Sequence, residues 1–129
     1  MKKVILLMVI MSLFCGCGNT KDKKENTLVN ISTEEVYSML DDDNTYIIDV
    51  RGIDEYNSGH IKNAFNIPVS TITEDIKKEI PVDTTVIVYC MSGNRSKMAG
   101  KILLELGYLH VYDMGGINNW NYEIVVEDW

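Results

Sequence analysis

Basic charge, histidine, cysteine and long apolar runs are all scarce in this 129-residue chain, and each scarcity excludes a class of function. Twelve Lys and Arg face nineteen Asp and Glu, a formal charge of −7. No nucleic-acid partner is expected, because clustered cations are what displace counterions from a phosphate backbone. The one basic cluster, Lys21, Lys23 and Lys24, falls in a polar stretch that reads as linker. The two histidines and three cysteines show no metal-ligand spacing, and His110 has no cysteine or carboxylate placed to share an ion with it. A P-loop and a dinucleotide fingerprint are both missing, so neither a metal nor a cofactor is expected. The apolar run from Val4 to Phe14, broken only by Ser12, is too short to cross a bilayer comfortably.

What is present divides the chain. At 46% hydrophobic composition the length supplies one ordinary domain with its own core and no room for a second. The opening "MKKVILLMVIMSLFCGC" has two lysines, an apolar run and then small residues, the pattern of a signal peptide. Its ending resembles a bacterial lipoprotein signal, in which cleavage precedes a cysteine that becomes diacylated. That implies residues 1–16 as signal and Cys17 as the lipidated residue, with Phe14 standing where a small aliphatic residue is usual. The alternative is an uncleaved amphiphilic anchor; either holds the domain at a bacterial membrane in the cell envelope, facing outward. Loss of Lys2 and Lys3 leaves ten basic residues against nineteen acidic, a charge of −9. Residues 17–27, which include "GNTKDKKENT", carry no apolar periodicity and read as a solvated tether. Residues 28–129 are the folded domain.

Cys15 departs with the signal and Cys17 takes the lipid, so Cys90 remains alone in an exported domain, where structural thiols are normally paired. A lone buried cysteine can be an inert small hydrophobe. Its surroundings argue otherwise. Near-continuous β-prone runs at 45–50, 64–69, 84–89 and 108–114, with a short one at 28–32, suit strands covered on both faces. Helical patterns lie between them: 33–40 behind Ser32 and Glu35, 70–80, and 96–107 ending at Gly107. The alternation predicts an α/β domain with a central, mainly parallel sheet of about five strands flanked by helices. Ligands of such sheets bind beyond the carboxyl ends of the strands, at helix N-termini. Cys90 is at that address, ending a strand before a turn that contains Gly93 and Arg95 and a helix that Ser96 can cap. Backbone N–H groups curled around the sulfur would favour a thiolate.

The segments "YIIDVRGIDEYNSGHIKNAFNIP", "CMSGNRS" and "MGGINNW" resemble the three signature regions of the rhodanese family in its single-domain form, over roughly residues 28–126. The resemblance implies a sulfurtransferase in which Cys90 is the nucleophile and carries a sulfane sulfur as a persulfide. Met91, Ser92, Gly93, Asn94 and Arg95 would form the cradle whose amides hold it, with Ser96 beside them. The donor would be thiosulfate or a small persulfide and the acceptor a thiol or cyanide; the alternative is a persulfide or redox relay to a protein partner. Asp49 and Arg51 are expected near the edge of the site, organising loops, with Arg51 paired to Glu55. His60 is expected to tie its turn together rather than act as a base, since a thiolate attacking sulfur needs none. Trp120 is expected in the core. Phosphatases and arsenate reductases of related fold, the remaining and less favoured alternative, place five residues between loop cysteine and arginine in a loop sized for tetrahedral phosphate; here there are four, a tighter cradle better matched to one added sulfur.

Overall fold

The structure, a computed structural model, describes residues 27–127. The segments expected to be signal peptide and tether lie outside the described residues up to residue 26, Cys17 included. Among the described residues there are seven strands: β1 (Val29–Asn30), β2 (Thr45–Asp49), β3 (His60–Ile61), β4 (Phe65–Asn66), β5 (Thr85–Cys90), β6 (His110–Gly116) and β7 (Ile124–Val125). The helices are α1 (Thr33–Ser38), α2 (Ile53–Ser58) and α3 (Asn94–Glu105). Five strands form one parallel sheet in the order β1-β6-β5-β2-β4, and β3 pairs antiparallel with β7 apart from it. This is the α/β architecture the sequence predicts.

The central strand shows why its sequence lacks polar alternation. Val86, Val88 and Cys90 face Ala99 and Leu103 of α3, while Ile87 and Tyr89 face Val36, Ile61 and Trp120 on the other side. Both faces are covered, so every position from Val86 to Cys90 is buried. Full burial of each aliphatic side chain stabilises the fold by about 1.5–3 kcal/mol.

Most boundaries shift by one to three residues, as at Val29–Asn30, Thr33–Ser38 and His110–Gly116, and three departures have a clear physical cause. The 70–80 segment is not one helix but two 3₁₀ turns, Val69–Thr71 and Glu74–Lys78. Thr73 between them is extended and its hydroxyl accepts from the Asp75 N–H, which restarts the chain and lets Ile72, Ile76 and Ile80 all reach the core. The 64–69 run shrinks to Phe65–Asn66. Ile67 and Val69 still donate to the Asp49 and Val50 carbonyls, but Pro68 between them has no N–H, which ends the ladder. Finally, α3 begins at Asn94, two residues earlier than expected, because Gly93 turns left-handed (φ 112°) and serves as the N-cap. Ser96 therefore sits inside the first turn and does not cap the helix. At the far end Gly107 (φ 102°) closes α3 in the left-handed conformation, as expected.

The strand order sets the place of function. From β2 the chain moves outward to β4, and from β5 it moves outward the other way to β6. The carboxyl ends of β2 and β5 flank a switch point, where a crevice opens in such sheets. Asp49 ends β2 and Cys90 ends β5.

Candidate active site

Cys90 is only 1% exposed, and the chain beyond it wraps around the sulfur. The Gly93 N–H donates to Sγ at 3.0 Å. Burial pushes the Cys90 thiol up, but the backbone N–H and hydroxyl of Ser96 and the N–H groups of Gly93 and Ser92 together hold it below the ordinary value. The Ser96 hydroxyl has one proton; in the structure it goes to the Gly93 carbonyl at 3.0 Å, and it can turn to the sulfur when charge resides there. The start of α3 aims its dipole at the same atom. The result is a pocket that suits a thiolate or a terminal persulfide sulfur.

The opposite wall is β6. A bulge against Val88 and Tyr89 brings Gly115 and Gly116 level with Tyr89 and Cys90. A Cβ on Gly116 would collide with the Met91 carbonyl and come within 2.9 Å of the Ser92 Cα. The loop thus lies directly on a glycine, and Asn118 donates its N–H to the same Met91 carbonyl at 3.4 Å. This is the physical reason for Gly116 in "MGGINNW", whereas Gly115 is required by its left-handed backbone at φ 88°.

Asp49 and Arg51 lie behind the site as a buried network. Arg51 is 3% exposed and Asp49 is fully buried. Arg51 Nη2 donates to Asp49 Oδ2 at 2.7 Å and to the Gly59 carbonyl at 2.6 Å, and Nε lies within 3.1 Å of both carboxylate oxygens. Tyr89 donates to Asp49 Oδ2 at 2.8 Å and accepts from the Ile61 N–H; burial and then Asp49 raise its pKa far above the ordinary range, so it stays a donor. Asn66 donates to the Asp49 and Arg51 carbonyls. The network ties the ends of β2 and β5 to the turn leading into β3.

The expected pair of Arg51 with Glu55 does not form. Arg51 is drawn inward by Asp49, and Glu55, on α2, instead grips Arg95 with two bonds of 2.8 and 3.0 Å. That guanidinium, more than any other group, holds the Glu55 carboxyl below its usual range. Arg95 is therefore a tie between the loop and α2, near enough to Cys90 for its charge to be felt there. His60 is buried; its ring stacks on Tyr56 at 3.8 Å, with Nδ1 3.0 Å from the Tyr56 carbonyl. It holds the turn between α2 and β3. Asn94 opens α3 and is exposed.

An open groove of about 590 Å³ runs beside the loop, lined by Arg51, Glu55, Ser58, Gly59, Met91, Ile117, Trp120, Tyr122 and Ile124. Trp120 is buried, as a core residue should be, yet one side of it forms this wall. Met91 is 37% exposed at the rim. Ile117, Tyr122 and Ile124 were not legible as site residues, because nothing in their local pattern shows that β7 folds back beside α2.

The family comparison agrees with this geometry. The model of the rhodanese-like domain matches residues 32–123. A thiosulfate sulfurtransferase of Escherichia coli K12, PspE, is 41% identical over 73 residues, covering 56% of this chain and 70% of that protein. A tRNA uridine(34) hydroxylase of Buchnera aphidicola is 36% identical over 96 residues, 70% of this chain; the chain spans 30% of the hydroxylase's length. The solved structure of a rhodanese with anions from E. coli is 37% identical, with a TM-score of 0.60 over 64% of this chain and 99% of that one. With the matched region spanning both walls of the crevice and the whole cysteine loop, the chain belongs to the rhodanese-like domain family.

Proposed function

We propose that the protein is a sulfurtransferase that passes a sulfane sulfur through a persulfide on Cys90. The observation that carries this is the convergence of N–H groups on a buried sulfur at the end of β5, which stabilises a thiolate without a neighbouring base. Thiolate attack on thiosulfate forms Cys90–S–S⁻ and releases sulfite; attack of cyanide on the outer sulfur returns the thiolate and forms thiocyanate. Met91 to Arg95 supply the cradle and Ser96 its hydroxyl, while Asp49, Arg51 and His60 hold the surrounding turns. The similarity to PspE supports thiosulfate as a donor. The similarity to the hydroxylase covers less than a third of that protein, and its activity is not carried over. In the cell a small thiol or a protein thiol takes the sulfur in place of cyanide. Cleavage before Cys17 and acylation there would place the domain on a membrane and facing outward; the signal-like opening of the sequence supports this.

The test is transfer from thiosulfate to cyanide by the wild type and by Cys90→Ser. A sulfur-to-oxygen exchange changes little volume, so the variant should fold and melt like the wild type while losing transfer. Turnover retained in Cys90→Ser would overturn the assignment.

A further inference from the structure

Two charged side chains line the groove beside the sulfur, Arg51 and Glu55, and of these Glu55 is the more exposed. Glu55 lines the groove, while Arg95, the guanidinium that pairs with it, is not among the lining residues. Arg51 also lines it, but its Nε and Nη2 are committed to Asp49 and the Gly59 carbonyl, and it is 3% exposed. Met91, Ile117, Trp120, Tyr122 and Ile124 make up most of the remaining wall. An incoming donor therefore runs along apolar surface and the Glu55 side of the Glu55–Arg95 pair.

Resting on the reading of Cys90 as sulfur carrier, we propose that Glu55 is a specificity-determining residue. By drawing Arg95 aside and facing the groove with its own carboxylate, it selects against dianionic sulfur donors and favours donors of lower charge. Two donors isolate the effect. Thiosulfate and the Cys90 thiolate give the persulfide anion and sulfite, and methanethiosulfonate gives the same persulfide and methanesulfinate. The bond broken and the sulfur moved are alike, but a methyl group replaces one anionic oxygen, so one negative charge is removed.

The experiment measures kcat and KM for both donors, with cyanide as acceptor, for the wild type and Glu55→Gln across ionic strength. Gln keeps the length and one acceptor for Arg95. The ratio of kcat/KM for thiosulfate to that for methanethiosulfonate should rise about tenfold at low salt, through KM for thiosulfate rather than kcat. The gap between variant and wild type should narrow as salt screens the site. Arg95→Gln, which leaves the carboxylate uncompensated, should move the ratio the other way and serves if Glu55→Gln does not fold. Equal loss with both donors and an unmoved ratio would make Glu55 a structural tie only and overturn the proposal, as would a gap indifferent to salt. Failure of the wild type with both donors would instead remove the sulfurtransferase reading beneath it.

Discussion

At Cys90 two opposed effects meet: burial disfavours the thiolate, and the hydrogen bonds of the loop favour it more strongly. The charged form is therefore present at lower pH than in a free cysteine. The rate of alkylation by iodoacetamide should rise with pH about a midpoint below that of a free cysteine thiol measured alongside. Ser96→Ala removes the hydroxyl but keeps the backbone N–H, so that midpoint should move upward; an unmoved midpoint would show that the amides suffice. Met91 is the other residue whose role is set by what it is not. It stands at the loop's second position, part-exposed on the groove. A cation there would attract a dianion over the short range left by screening. Met91→Arg should raise kcat/KM for thiosulfate by up to about tenfold, the equivalent of roughly 1.4 kcal/mol. No change would mean that the cradle amides alone bind the dianion.

Among the elements, the ends of β2 and β5 are tied by the Tyr89 hydroxyl on Asp49, which is itself paired with the buried Arg51, and β6 meets the cysteine loop through the bare contact at Gly116. Removing the Asp49 charge leaves Arg51 charged and buried, which costs about 3–5 kcal/mol when one partner of such a pair is lost; Asp49→Asn should lower the urea midpoint accordingly. The half-exposed Glu55–Arg95 pair contributes far less, but it gives the pH dependence a sign. Folding lowers the Glu55 pKa, so this contribution is complete above the ordinary value of 4.5 and fades as pH falls through the depressed one. The stability difference between wild type and Glu55→Gln should shrink over that acid window. The strands β2 and β5 were legible because both faces are apolar, and the cysteine turn because it follows one of them. Helix α2 was not: none of its six residues is buried, so it has no apolar stripe to read. Strands β3 and β7 have two residues each, too few to show alternation. The Arg95–Glu55 tie joins residues forty apart in sequence, a distance over which local pattern carries no information.

Over the whole molecule, the acid excess acts at longer range than any single contact. The proposed cleavage before Cys17 would leave a charge of −9, a field that repels anionic donors, and added salt should lower the wild-type KM for thiosulfate by screening it. The same scale includes the anchor proposed at Cys17. Growth with a palmitate analogue should label the protein, and Cys17→Ser should abolish the label. A label that persists in the variant, or never appears, would leave an ordinary signal peptide or an uncleaved anchor. Two acyl chains would make attachment stable without a spanning helix, and among the described residues no helix is long and apolar enough to span.

The central claim is that Cys90 carries the sulfur, and the most direct measurement is intact-protein and peptide mass spectrometry after brief exposure to thiosulfate without reductant. The account predicts the mass of one added sulfur, located on the peptide containing Cys90 and discharged by cyanide. An enzyme that transfers sulfur while this peptide never gains it, or that gains it at another residue, would contradict the account.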